Sequence, residues 1–374
     1  MSRDPLAVRL ETLFEKEGGR PMPEAGAKLV IYGAGRCGRD ALRVLREGGY
    51  NVVAFLDLNA VTIGDIEGIP CHQPNSAAST TLARAGIPAL IAVFNFATDT
   101  GAIEDALRLV GFERILPYHA LDAEFPGALM SRFWLESHRF WEEHREELLS
   151  GLELWEDDLS REIYADSVEL RLTGSLQLLR NPDRIHQYFP PDLPPPQEPV
   201  RFIDGGAYVG DTLAALERFH LEAVAAFEPD GENFGRLCRW FDDAAVRLKE
   251  AALFPCGLDS EPTVRRFQQG QGAGSAITDS GESLIQVVRL DDVLPRFAPT
   301  FIKLDIEGAE IDALTGATRM IRAHQPRIAA CVYHRPTHLW EVPRLMRGLL
   351  PSHRLHLRYH GFNGLDVVAY AIEP

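Results

Sequence analysis

Lysine is scarce in this sequence: of 38 basic residues only Lys16, Lys28, Lys249 and Lys303 are lysines, and they face 54 acidic residues. The formal charge of −16 disfavours a general electrostatic grip on nucleic acid or on an anionic membrane surface. Cysteine is sparse too. The five, at 37, 71, 238, 256 and 331, are odd in number and include no CxxC pair, which supports neither a disulfide framework nor a zinc site and points to a reducing, cytoplasmic setting. Long apolar runs are missing: no stretch of 18 uncharged apolar residues occurs, and the charged segment 1–20 lacks the apolar core of a secretory signal. A soluble protein without membrane contact is expected.

What is present is ordinary for a globular chain: 374 residues, 45% hydrophobic and 25% charged, enough for two cored domains. Lys28–Tyr32, Asn51–Leu56 and Ala89–Phe94 are apolar runs that read as strands, with Arg36–Gly48 and Ile103–Val110 as helices and Arg114–Pro117 as a further strand. Residues 1–120 therefore predict a small Rossmann-like α/β domain. Between Ala128 and Leu179 helical spacing predicts two or three helices. There Phe133, Trp134, Phe140 and Trp141 recur seven apart, as an aromatic stripe on one helix, packed on its own chain or forming a dimer seam. The run from Tyr188 to Pro196, with five prolines, ends this helical linker of residues 121–196.

From residue 197 to 374 the βα rhythm resumes, with strands expected at Arg201–Ile203, Ala223–Phe227, Val246–Leu248, Thr300–Leu304 and Arg327–Val332. Leu355–Tyr359 and Val367–Ile372 read as a closing hairpin. A spacing recurs: Gly33 to Asp57 and Asp204 to Glu228 are each 24 residues, both spanning a glycine-rich turn and a helix.

The turn at Phe202–Thr212 follows a strand and opens a helix, with glycines at 205, 206 and 210 that let a ligand lie against the main chain. Glu228 ends the next strand, where an acid can accept from ribose hydroxyls. Asp204 and Asp211 in the turn would repel a pyrophosphate but suit a nucleoside with a cationic amino-acid tail, which is S-adenosylmethionine. A second motif, Phe301 to Glu310, puts Asp305 and Glu307 at the end of another strand, facing the same site. A hydroxyl acceptor sheds a proton on methylation, which asks for a base, and Asp305, Glu307 and His334 are the candidates, with His334 or Asp305 preferred. Lys303 is placed to bind substrate or to pair with an acid. The same residue types, Asp305, Glu307 and His334, would also admit a divalent cation, although their spacing is not diagnostic of one.

Three segments carry a resemblance: FIDGGAYVGDT (202–212), AFEPDGENF (226–234) and FIKLDIEGAE (301–310). Through them residues 200–372 resemble the FkbM family of methyltransferases. That resemblance implies a class I methyltransferase fold, S-adenosylmethionine as donor and a hydroxyl acceptor on a sugar, polyketide or similar metabolite. It also implies site roles. Asp204, Gly205, Gly206, Gly210 and Asp211 would hold the methionine part, flanked by Ala207 and Thr212. Glu228 with Pro229 would hold the ribose, Asn233 and Ala252 the neighbourhood of the nucleoside, and Ser275 a place in the flexible loop 270–275.

The N-terminal turn Gly33-Ala-Gly-Arg-Cys-Gly38, with Asp57 beyond it, is a formal GxGxxG fingerprint. It keeps open an alternative, an NAD-dependent oxidoreductase or sugar-nucleotide enzyme. Through VIYGAGRCG, VVAFLDLN and IEGIP this part resembles the nucleotide-sugar-binding domains that precede some sugar acetyltransferases, which implies a nucleotide-sugar at Gly33, Gly35, Gly38 and Asp57 or a domain kept for assembly, including a homo-oligomer. His353, His356 and His360 are expected in the core or in solvent rather than on a metal.

Overall fold

The computed structural model of the chain describes residues 4–15, 19–130, 133–243, 248–269, 276–277 and 281–374. They divide into two compact units. Unit 1 comprises Met1–Leu152, Arg161–Pro182 and Tyr359–Asp366, and unit 2 comprises Glu153–Ser160, Asp183–Arg358 and Val367–Pro374.

In unit 1 the apolar runs become β1 (Lys28–Tyr32), β2 (Asn51–Leu56), β3 (Asp65–Ile66), β4 (Ile69–His72), β5 (Ala89–Ile91) and β6 (Ile115–Pro117). Their order is β3-β4-β2-β1-β5-β6, parallel except for the β3–β4 pair. Strands covered on both faces read as continuous apolar runs, which is why this part was legible. The fifth strand stops at Ile91, short of the expected Phe94, and the helix after it starts at Thr100, where Asp99 accepts from the amide of Ala102. The segment after residue 128 holds three α-helices among the described residues, His138–Glu143, Arg145–Gly151 and Asp158–Thr173. The aromatic stripe is corrected. Phe133 and Trp134 lie in a turn ahead of the first helix, and Phe133 is in the left-handed region, so no helix aligns them with Phe140 and Trp141.

Unit 2 contains β7 (Val200–Gly205), β8 (Leu221–Phe227), β9 (Glu250–Phe254), β10 (Gly257–Leu258), β11 (Thr263–Gln268), β12 (Ala276–Ile277), β13 (Ser283–Val288), β14 (Phe301–Leu304), β15 (Arg327–Cys331), β16 (Arg354–Tyr359) and β17 (Val367–Ile372). The main sheet runs β16-β17-β15-β14-β7-β8-β9, with β17 antiparallel to β15 and β7, β8, β9, β14 and β15 mutually parallel. After β7 the chain winds to β8 and β9 on one side, then crosses to β14 and β15 on the other. The crevice at the carboxyl ends of β7 and β14 is the topological switch point where open α/β sheets bind ligands. The strand expected at Val246–Leu248 needs correction: Val246 and Arg247 lie outside the described residues, and the strand beside β8 is β9, beginning at Glu250. A small second sheet, β10-β13-β11-β12, was not expected at all. Among the described residues no helix is long and apolar enough to cross a membrane. None of the five cysteines is in a disulfide.

Candidate active site

Gly205 ends β7 beside Leu304 of β14, and at the next step the two strands come closer still. A Cβ on Gly206 would lie 2.0 Å from the carbonyl oxygen of Asp305, and its φ is +77°, so the fold itself requires glycine there. This crossing gathers the ends of three strands around one pocket. Gly206, Tyr208, Asp211 and Thr212 line it from the β7 turn, Glu228, Pro229 and Asn233 from the end of β8, and Lys303, Asp305, Ile306, Glu307 and Ala309 from β14 and its turn. Cys256, Gly257, Leu258, Phe267 and Ile277 add an apolar wall from the small sheet and the approach to it, and Gln187 and Tyr188 close the ring. The space between these residues, open mouth included, is about 850 Å³.

Three of the lining residues, Tyr188, Tyr208 and Glu307, are non-glycine residues in the left-handed region, at φ +70°, +47° and +54°. Such conformations cost on the order of 1–3 kcal/mol each and persist where the surroundings over-determine them, commonly at functional sites.

The electrostatics begin with a buried pair. Lys303 Nζ lies 3.0 Å from Asp204 Oδ1 and donates to the Gly206 carbonyl at 2.5 Å. Burial works against this ammonium, but Asp204, Asp305 and Asp211 outweigh it and hold its pKa above the ordinary lysine value. The only lysine or arginine in the lining, among the described residues, is thus committed to Asp204, and the acids Asp211, Glu228, Asp305 and Glu307 set the sign of the pocket. Glu228 accepts from the amides of Tyr208 (2.9 Å) and Asp230 (2.8 Å), tying the β7 turn to β8. Burial dominates its titration and raises its pKa to about 7, despite those two bonds.

Behind Asp305 is a second layer. His334, after β15, lies with Nε2 3.4 Å from Asp305 Oδ1 and 3.7 Å from Glu307 Oε1, and with Nδ1 2.8 Å from Glu310 Oε1. Glu310, fully buried, also accepts from the amide of Ile306 at 3.0 Å and sits 3.0 Å from His338 Nδ1 through its other oxygen. Burial opposes the His334 imidazolium, but Glu310, Glu307 and Asp305 more than compensate and raise its pKa to about 10. Glu310 is held well below the usual carboxylate range by His334 and His338, again against its burial.

The sequence-predicted residues therefore fall into three sets. Gly206, Asp211, Thr212, Glu228, Pro229, Asn233, Lys303, Asp305 and Glu307 line the pocket. Asp204, Gly205, Ala207, Gly210 and His334 support it from beneath: Asp204 pairs with Lys303, Gly205 packs on Leu304 and Leu258, and Gly210 packs on Trp240. Ala252 sits within β9, paired with Ala225, and Ser275 with its loop lies outside the described residues. Among the described residues no group of three His, Cys, Asp or Glu side chains is arranged to hold a metal ion. His353 and His356 are buried, His356 against Asp157 and His353 against the Gln325 carbonyl. Sequence reasoning missed Tyr188, whose hydroxyl donates to Asp305 Oδ2 at 2.7 Å, because it opens the proline run.

In unit 1 the same device recurs. Asp57 accepts from the amides of Ala34 (2.9 Å) and Asn59 (2.8 Å), as Glu228 does from Tyr208 and Asp230. Gly33 (φ +98°) and Gly38 are required by the fold, since a Cβ on Gly38 would lie 1.9 Å from the Gly33 carbonyl, whereas a Cβ on Gly35 meets nothing within 4 Å.

A crystal structure described as methyltransferase FkbM from Methylobacillus flagellatus KT has the same fold, with a TM-score of 0.75 at 24% identity over 98% of this chain and 93% of that one. No curated protein matches the sequence. Residues 204–363 match the family model of the methyltransferase FkbM domain. That match spans the β7 turn, the acid after β8 and the Asp305–Glu310 turn, so the segment that builds the pocket is the one similar to the methyltransferase FkbM domain.

Proposed function

We propose that the protein is an S-adenosylmethionine-dependent methyltransferase that acts on a hydroxyl of a sugar-containing or secondary-metabolite acceptor. The observation that carries this reading is the sign of the pocket: Asp211, Asp305 and Glu307 in the lining, joined by Glu228 with its pKa at about 7, and a single lysine already paired with Asp204. A ligand phosphate 4 Å from one such carboxylate would be repelled by about 4 kcal/mol at an effective dielectric of 20, whereas a sulfonium and an ammonium would be attracted. The residues fit the donor. Glu228 is placed for ribose hydroxyls, Phe267, Ile277 and Leu258 for a flat apolar base, and Asp211 with the Gly206 main chain for the amino-acid end. When bound, the donor supplies an electrophilic methyl group.

The chain's own residues align the acceptor and take its proton. Asp305 faces the pocket and His334 does not, and His334, with its pKa raised to about 10, already carries its proton at neutral pH. Of the two candidate bases Asp305 is therefore the proton acceptor. The His334 ring behind it, held by Glu310, stands 3.4 Å from Asp305 Oδ1 and fixes the place of that carboxylate. Transfer of a labelled methyl group from S-adenosylmethionine to hydroxyl-bearing acceptors in an extract tests the reading. Incorporation should fall on the order of 100-fold or more in Asp305→Asn, a general-base loss. Undiminished incorporation in that variant would contradict the assignment.

For unit 1 we propose a nucleotide-sugar against the Gly33–Gly38 turn and Asp57. Gly35 supports it, being a glycine that no neighbouring atom of the fold demands. Titration with UDP-glucose tests it, and absence of binding would leave the turn a structural one.

A further inference from the structure

The pocket is completed by a residue that lies ahead of the family domain. Tyr188, in the run that precedes β7, is 16 residues upstream of the matched segment 204–363. It is nonetheless buried against the pocket, its backbone held at φ +70° and its amide donating to the Tyr370 hydroxyl at 3.2 Å. An aromatic residue pinned in the left-handed region by its neighbours is a fixed point. Its ring lies 5.3 Å from Lys303 Nζ, over the Lys303–Asp204 pair, and its hydroxyl accepts from Gln187 Nε2 at 3.1 Å while donating to Asp305 Oδ2 at 2.7 Å.

The two oxygens of Asp305 are consequently not equivalent. Oδ2 is engaged by the phenol, and Oδ1 stands 3.4 Å from His334 Nε2. A carboxylate held at Oδ2 by a hydrogen bond and at its buried Oδ1 by an ion-pair contact cannot rotate about its χ2 torsion without breaking one of them, so its orientation is fixed. Preorganisation of this kind is what a proton acceptor needs, because a small misplacement of the reacting groups costs large factors in rate.

We propose that Tyr188 is a positioning residue for Asp305, so that the methyl-transfer locus of unit 2 is assembled jointly by the proline-rich segment and the β14 turn. This inference rests on the methyltransferase reading above and deepens it. It makes Gln187 and Tyr188, at the head of the proline-rich run, part of the site rather than of a connector.

The test needs no acceptor. Sinefungin differs from S-adenosylhomocysteine by an amine-bearing carbon in place of sulfur, so the ratio of their dissociation constants reports on a carboxylate aimed at the transfer locus. Both ligands are titrated calorimetrically into the full chain, its Tyr188→Phe variant, its Asp305→Asn variant and the double variant. Phenylalanine keeps the ring over Lys303 and removes only the hydroxyl. The expectation is that sinefungin binds the parent roughly tenfold more tightly, as a charge-assisted hydrogen bond allows. In Asp305→Asn the preference disappears, and in Tyr188→Phe it falls severalfold while the homocysteine affinity stays within about twofold of the parent. The double variant should be no worse than Asp305→Asn alone, since both act through one group. A preference unchanged in Tyr188→Phe but lost in Asp305→Asn overturns this proposal alone. A preference unchanged in both removes Asp305 from the locus, and with it the proposal. Failure of the parent to bind either ligand overturns the methyltransferase reading itself.

Discussion

Lys303 shows how far a single residue can be read from sequence. Its place at the end of an apolar strand, beside acids, marks it as a chemical residue, and two roles were open, substrate binding or an ion pair. The structure settles for the pair, at 3.0 Å from Asp204 with both side chains buried. A buried charge deprived of its partner is costly, about 3–5 kcal/mol. Lys303→Met should therefore lower thermal stability markedly and weaken cofactor binding only through that, whereas Lys303→Met combined with Asp204→Asn should recover part of the loss. Calorimetric unfolding of the two variants checks this, and a single variant as stable as the parent would refute the buried-pair account. Asp305 and Glu228 were legible because each is an acid at the end of an apolar run. Tyr188 was not, since nothing local in a proline-rich run tells of a partner 117 residues away.

At the level of elements, the turn after β14 is organised by Glu310. Its carboxylate takes the Ile306 amide and two histidines, so it fixes the turn, His334 and His338 together. This linkage makes stability depend on pH. The folded-state pKa of His334 is raised to about 10, so its contribution is fully present below the unfolded histidine value, near 6.5, and is lost as pH rises through about 10. Glu310, whose folded pKa is depressed, contributes above the unfolded glutamate value of about 4.3 and loses that contribution on further acidification. The cluster therefore stabilises most between roughly pH 4.5 and 6.5. Melting temperature should decline from pH 6.5 toward 10, and Glu310→Gln should both lower it and flatten that slope. A slope equally steep in the variant would dissociate the cluster from stability. Most helices and parallel strands followed their apolar periodicity, the stripe from Phe133 to Trp141 and the strand beside β8 excepted. The small sheet did not: the first four residues of β11 are exposed and β10 and β12 are two residues long, so neither alternation nor an apolar run announces them. Yet it is this sheet that supplies Gly257, Leu258, Phe267 and Ile277 to the pocket.

For the whole molecule, the recurrence of a glycine turn and an acid 24 residues on was visible in sequence, and in each unit the acid proves to tie the turn by two backbone amides. The same device thus recurs in two settings: in unit 2 the acid opens onto an acid-rich pocket, and in unit 1 it ties the glycine turn for which a nucleotide-sugar is proposed. The glycines of the two turns look alike, and in the sequence it was the acids Asp204 and Asp211 of the second that ranked it ahead as the S-adenosylmethionine site. Equilibrium titration of the full chain with S-adenosylhomocysteine and with NAD, under one buffer, decides between them most directly. The account predicts that S-adenosylhomocysteine binds with one site per chain and that Glu228→Ala weakens it, while NAD gives no heat. Binding of NAD without binding of S-adenosylhomocysteine would contradict it.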